Sequence, residues 1–196
     1  DACGVSIKTV SRVVNDSESV SKKTRDIVNA TIKELGYQTV QVFHSPKSFS
    51  SFLKFDCIMR ADLVCDWKDA VRMSAGLLVK RGFVEESYVS NMLGFIEKQG
   101  FYAVSDDSFA LLHGKGAEGI SKTSLSLLVT REPVVFGEKK ARVIFCLASR
   151  DGKEHIPAVV TLMRMVKTTA LIHDLEESRS EEELYQTVLN CEFEVL

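Results

Sequence analysis

Two hydrophobic periods succeed one another along this chain, one of three-and-four spacing and one of short unbroken apolar runs. After Asp66, a polar N-cap, the set Trp67, Ala70, Val71, Ser74, Leu77 and Leu78 keeps helical spacing and ends near Gly82, which predicts a helix. A second helix is predicted over residues 86–99, with Tyr88, Val89, Met92 and Ile96 on its apolar face and Gly100 as its stop. The pattern then becomes that of strands, over residues 101–104, 109–112, 124–130 and 141–148. The last three are short apolar runs of the kind found in central sheet positions, and Pro133 and Gly137 punctuate the connection between the final two. Helical spacing returns over residues 155–166 and 168–177, and Ser180-Glu-Glu-Glu183 opens another helix as a capping box. This order predicts an α/β domain in which helices cover a sheet.

The front of the chain is different. Residues 6–14 and 21–35 read as two short helices with Ser6 and Ser21 as N-caps, the second closing on Gly36, and residues 15–19 turn between them. Val5, Val10, Val13, Ile27, Val28 and Ile32 make one apolar face, and Lys8, Arg12, Lys22, Lys23 and Arg25 a positive one. We take residues 1–38 as a small all-α unit. Residues 39–50, with Pro46 and a serine cluster but no sustained period, read as a linker to a domain over residues 51–196.

Composition narrows the functional classes. The hydrophobic share of 45% and charged share of 27% are those of a soluble globular protein. A formal net charge of -2 excludes a uniformly basic nucleic-acid binder, so any DNA contact has to come from a local patch. The five cysteines, at 3, 57, 65, 146 and 191, form no Cys-x-x-Cys pair, which points to free thiols in a reducing cytoplasm. Cys146 reads as core, and only Cys3 and Cys191 as exposed. No window approaches the roughly 18 apolar residues of a membrane span, so no membrane insertion is expected. The chain opens with no signal-peptide pattern and starts at Asp1 rather than methionine, as a fragment would.

The candidate chemistry gathers around two histidines. His113 ends the apolar run from Ser108 and precedes the glycine-rich stretch Gly114-Lys-Gly-Ala-Glu-Gly119. His155 follows the run 143–148 and the turn-like Ser149-Arg-Asp-Gly-Lys-Glu154. Two imidazoles at two strand ends could share one small anion, with His113 as the nucleophile. The glycine stretch satisfies G-x-G-x-x-G, but the run after it, from Ser124, is strand-like rather than helical. Lys122 is likewise separated from Gly119 by Ile120 and Ser121, so neither nucleotide motif is met. These glycines are expected instead to let a partner's active site approach His113. His44 and His173 are expected to be solvated, and the four histidines have no clustered spacing, so neither a metal nor a cofactor is expected.

The segments 4–15, 20–25 and 32–37 closely resemble the helix-turn-helix headpiece of the lac repressor family. The resemblance implies that the helix over residues 6–14 enters the major groove, with Ile7 and Lys8 facing bases and Thr9, Ser11 and Arg12 largely holding phosphates or flanking bases. Operator DNA is then a partner of the full-length protein. Two departures accompany the match: only Asp1-Ala-Cys3 stands where that family has its first helix, and Gln38-Thr-Val-Gln41 lacks the hinge-helix pattern.

From about Leu53 onward the chain resembles the enzyme IIA domains of the bacterial sugar phosphotransferase system, of the mannitol, fructose and ascorbate class. The residues that carry the resemblance are Asp66-Trp-Lys-Asp-Ala-Val-Arg72, Gly82-Phe-Val-Glu-Glu-Ser-Tyr88, Phe109-Ala-Leu-Leu-His113, the stretch 119–128, Val135-Phe-Gly137 and the stretch 147–156. It implies a mixed central sheet flanked by helices on both faces. It also implies a cytoplasmic phosphoryl relay in which a phosphocarrier histidine protein phosphorylates His113, His155 assists, and an enzyme IIB component receives the group. Alternatively, a phosphorylatable IIA domain controls the DNA-binding unit in front of it. Leu112 stands where that family usually has proline, which would fix the backbone before the nucleophile.

Overall fold

The computed structural model describes residues 5, 13, 21–34, 49–105 and 108–195. The chain divides into two compact units, Asp1–Pro46 and Lys47–Leu196. In the first, helix α1 spans Lys22–Glu34. Ser21 caps it as its position predicts, its Oγ accepting from the Thr24 N–H at 3.2 Å. Val28 is buried, whereas Ile27, assigned to the same apolar face, is 44% exposed. Neighbouring helical positions point about 100° apart, so burying one turns the other outward. Apart from the buried, helical Val13, the expected helix over residues 6–14 lies outside the described residues. So do Ile7, Lys8, Thr9, Ser11 and Arg12.

The second unit opens with one helical turn, α2 (Phe49–Phe52), followed without a break by β1 (Leu53–Ala61). Phe49 and Ser50, read as the end of a linker, belong to this unit: Phe49 is 1% exposed and meets Phe145 edge-on at 5.9 Å between ring centroids. Then come α3 (Trp67–Lys80), α4 (Glu86–Gln99), β2 (Phe109–His113), β3 (Ser124–Phe136), β4 (Lys139–Ala148), α5 (Ile156–Thr168), α6 (Leu171–Glu177) and α7 (Glu181–Val195). Asp66 caps α3 by accepting from the Asp69 N–H at 2.9 Å, and Ser180 caps α7 by accepting from the Glu183 N–H at 3.2 Å.

The four strands form one mixed sheet in the order β1-β3-β4-β2. β1 runs parallel to β3, β2 runs parallel to β4, and the two central strands are antiparallel. Strand alternation sorts the core into two layers. Ala110, Leu112, Leu128, Ile144 and Cys146 face α3 and α4, while Phe109, Leu127, Val143, Phe145 and Leu147 face the side carrying α2, α5, α6 and α7. Helices therefore cover both faces, as expected. A buried polar tie joins one layer to the sheet, the Ser126 hydroxyl donating to the Ser74 carbonyl at 2.6 Å.

Three local expectations give way. Residues 101–104 form a turn rather than a strand, because Phe101 packs edge-on against both Trp67 and Phe136. The turn still covers the outer edge of β2: Ser105 N–H donates to Phe109 O at 2.8 Å and Leu111 N–H to Ala103 O at 2.9 Å. That hides an edge otherwise open to pairing. Strand β1 itself was not expected. Its burial does not alternate, since the register with β3 shifts between Leu53 and Ile58. Finally, β3 runs through Pro133 instead of stopping before it. The register shift between Val129 and Val134 puts Pro133 in a bulge, where a missing N–H breaks no ladder bond.

The register also fixes which strand termini share an end of the sheet. Leu53 pairs with Leu125, Ser124 with Ala148, and His113 with Leu147. One end thus carries the starts of β1 and β3 and the finishes of β2 and β4.

Candidate functional site

His113 is the last residue of β2, a half-buried side chain paired in register with Leu147. The Leu111 N–H points outward to Ala103, so by strand alternation the Leu112 N–H points inward to β4. Leu112 is 2% exposed and lies within the ladder. Sheet pairing, rather than a proline ring, holds the backbone ahead of His113. On the ring itself, the Tyr102 hydroxyl lies 3.2 Å from Nε2, and Tyr102 and Phe95 pack against the imidazole at 5.6 and 6.4 Å between centroids. Burial raises the Tyr102 phenol above its usual range, which keeps its proton in place at neutral pH.

Tyr88 braces the loop after His113. Its ring is 2% exposed, and its hydroxyl donates to Leu147 O at 2.8 Å and accepts from Gly114 N–H at 3.1 Å. One phenol thus joins the first residue after His113 to the residue paired with His113. Burial pushes its pKa well up, so it remains a donor. A Cβ on Gly114 would lie 2.9 Å from Cε2 of that ring, and one on Gly119, at φ +72°, would lie 2.7 Å from the Ser87 hydroxyl. Internal packing therefore accounts for two glycines expected to serve partner access. Gly116, exposed and with no such neighbour, is compatible with that role. The Gly114 amide, a candidate anion donor, already bonds to Tyr88.

His155 stands at the start of α5, on the loop leaving the end of β4. Its Nδ1 is 2.6 Å from the Ser149 hydroxyl oxygen. Asp151 shapes this loop by accepting from the Lys153 and Glu154 N–H groups at 2.9 and 2.7 Å, bonds that hold its carboxyl below its usual range. Burial pushes the His155 imidazole down, opposed by Asp151 and assisted by His113. The ring is therefore neutral at neutral pH, with one donor and one acceptor nitrogen.

Both histidines line one cavity of about 390 Å³, together with Tyr88, Gly114, Ser149, Arg150 and Asp151. The exposed Arg150 guanidinium is its sole Lys or Arg lining group among the described residues, and its backbone is fixed by the bond from Arg150 N–H to Thr123 Oγ1 at 3.1 Å. A second hollow, of about 380 Å³, touches His113 from its other side beside Tyr102, Met163 and Lys167. The cavity brings together two imidazoles, of which His155 is neutral at neutral pH, and a cation, a set suited to holding a small anion.

Sequence reasoning paired His113 with His155 but gave no role to Tyr88, Tyr102, Ser149 or Arg150. Tyr88 was visible as a helix-face residue and as part of a segment that carries the enzyme IIA resemblance, and nothing in its spacing marks a hydroxyl that bridges two distant backbones. His173 is exposed, as expected, and His44 lies outside the described residues. Cys191 is buried and Cys65 exposed, reversing the expectation for both, and Cys3 lies outside the described residues. No described helix is long and apolar enough to cross a membrane.

Comparison with known proteins extends this geometry. Residues 51–191 match the family "Phosphoenolpyruvate-dependent sugar phosphotransferase system, EIIA 2", and residues 1–39 match "Bacterial regulatory proteins, lacI family". The ascorbate-specific PTS system EIIA component of Shigella boydii is 25% identical over 126 residues, covering 62% of this chain and 82% of that protein. Crystalline IIA mannitol from Escherichia coli superposes with a TM-score of 0.59 at 27% identity, over 69% of this chain and 97% of that one. The Escherichia coli IIA mannitol in complex with phosphorylated enzyme IIB mannitol gives a TM-score of 0.61 at 26% identity, over 70% and 99% of the two chains. A mixed four-stranded sheet with helices on both faces, and a sequence match across nearly all of it, make this chain a member of the EIIA 2 family, the phosphoryl-relay components of sugar phosphotransferase systems.

Proposed function

We propose that His113 accepts a phosphoryl group from a phosphocarrier histidine protein and passes it to an enzyme IIB component. The observation that carries the reading is the shared cavity at the ends of β2 and β4, lined by both histidines and Arg150. The Tyr102 hydroxyl lies 3.2 Å from Nε2 of His113, and attack by that nitrogen requires the tautomer with its proton on Nδ1 and the hydroxyl turned away from the lone pair. Attack forms an N–P bond as the bond from phosphorus to the carrier's imidazole nitrogen breaks, and that imidazole leaves with its electron pair. The second transfer repeats the exchange toward enzyme IIB. Charge on the equatorial oxygens in the transition state calls for donors, which the His155 ring and the exposed Arg150 guanidinium supply from the cavity wall. The phosphoramidate retains the transfer potential that a relay needs. A relay among these partners would run in the cytoplasm.

Incubation with the general phosphotransferase enzyme, the phosphocarrier and labelled phosphoenolpyruvate is expected to put acid-labile phosphate on the protein. Equal labelling of His113→Ala, or no label on the native chain, refutes the assignment. His155→Ala is expected to accept phosphate more slowly.

The match of residues 1–39 to the lacI family supports a second reading, in which the IIA domain regulates transcription through an operator-binding unit. Phosphate on His113 would then bias DNA binding or dimerisation. Binding of the full-length protein to operator-like DNA should fall steeply with salt. Undetectable or salt-insensitive binding leaves only the relay.

A further inference from the structure

The role proposed for His155 requires its donor N–H to face the anion, and neutral imidazole can carry its proton on either nitrogen. We propose that Ser149 is a positioning residue whose hydroxyl donates to Nδ1 of His155, holding the ring in the Nε2–H tautomer with that N–H available to an anion in the cavity. The inference rests on the reading of His155 as an oxyanion donor.

The direction of this hydrogen bond follows from the relative basicity of its partners. At 2.6 Å the Ser149 hydroxyl oxygen and Nδ1 are in hydrogen-bond contact, and the tautomer decides which of them holds the proton. A basic imidazole nitrogen is a better acceptor than a hydroxyl oxygen, which makes the hydroxyl the donor. Ser149 is well placed to hold the ring still, since it directly follows the buried Ala148 at the end of β4 and precedes Arg150, whose N–H is tied to Thr123. With Nδ1 engaged, Nε2 is the ring nitrogen left for the cavity that His155 lines. The charged and titratable groups around the ring are Asp151, Lys153 and Glu154 on its own loop, Arg150 beside Ser149, and His113 at the end of β2. Both loop amides bond Oδ1 of Asp151, while the hydrogen bond to the ring comes from Ser149, which sets the tautomer.

The test is made on the full chain labelled with nitrogen-15, by long-range proton–nitrogen correlation above pH 7.5, with His155→Gln to assign the signals. A pyridine-type Nδ1 and pyrrole-type Nε2 on His155 are expected in the native protein and in Ser149→Thr, and a mixture of tautomers in Ser149→Ala. Phosphate uptake by Ser149→Ala should be about tenfold slower, the cost of roughly one hydrogen bond, and Ser149→Thr should restore it. An Nδ1–H tautomer in the native protein overturns the proposal, as does a Ser149→Ala variant unchanged in both spectrum and rate. Should the native chain take up no phosphate while the tautomers behave as described, the relay reading fails and the positioning of His155 by Ser149 stands.

Discussion

Replacing Tyr88 with phenylalanine isolates the brace beneath His113. The ring that fills the space above Gly114 is kept, and only the hydroxyl joining Gly114 N–H to Leu147 O is lost. Leu147 O sits in a buried environment, and stripping a buried acceptor of this partner costs about 1–3 kcal/mol. The Gly114 N–H is only part-buried and can turn to water, which puts its loss near the ordinary net worth of a hydrogen bond, about 1 kcal/mol. Together they give about 2–4 kcal/mol, or about a 30- to 700-fold drop in the folding equilibrium constant. The chain has one tryptophan, Trp67 at the start of α3, packed against Phe101, so its fluorescence during urea unfolding reports on this unit alone. With a urea slope of about 2 kcal/mol/M, the midpoint should fall by about 1–2 M at unchanged slope. Phosphate uptake measured in dilute buffer, where the variant is still folded, should also slow if His113 is the acceptor, because the loop after it has lost its tether. A loss below about 0.5 kcal/mol, the size of an ordinary surface substitution, would refute the bridge.

Three other measurements bear on the same structure. Phe49→Ala should cost about 3–5 kcal/mol in the Trp67-monitored transition, as a buried aromatic does, whereas a loss below about 1 kcal/mol would return residues 49–50 to a linker. Among the described cysteines, Cys65 should react with an alkylating agent in the native protein, slowed by the Asp69 carboxylate that raises its pKa. Cys57 and Cys146, whose thiols burial pushes up to about 11 and about 12, and Cys191 should react only on unfolding, as peptide mapping would reveal. Because burial depresses the His155 pKa, the folded state binds fewer protons there than the unfolded one. The contribution of a neutral His155 is fully present above its unfolded value of about 6.5 and is lost as pH falls through the lower folded value. The stability of the native protein relative to His155→Gln should therefore decline across that window, and a flat difference would contradict the burial effect.

Much of the second unit could be read from local periodicity because its helices bury one clean face each. Ala70, Val71, Ser74, Leu77 and Leu78 of α3, and Tyr88, Val89, Met92 and Ile96 of α4, occupy the core layer their spacing implied. β1 escaped because Lys54, Phe55 and Asp56 sit at a register shift, where neither face is consistently buried. The turn over residues 101–104 looked like a strand because Phe101, Ala103 and Val104 are apolar, yet what they satisfy is the edge of β2 and the rings around Phe136. At the site, the histidines were legible because each comes after an apolar run, and strand ends are where such runs release a side chain. Tyr88, Ser149 and Tyr102 were not, since their roles depend on one oxygen atom meeting a group supplied by another part of the fold. Periodicity carries information about faces, not about such pairings.

The shared end of the sheet has a consequence for how this domain can be joined to others. β1 begins where β2 and β4 finish, so a module fused ahead of this domain enters it at the end of the sheet that carries His113. Adjacent strands lie about 4.8 Å apart, which sets the start of β1 roughly 14 Å across the sheet from the strand bearing His113. At that range the length of the intervening chain becomes a control variable. It sets the effective concentration that the fused module and any partner bound at that end of the sheet experience of one another, without a single residue there being changed.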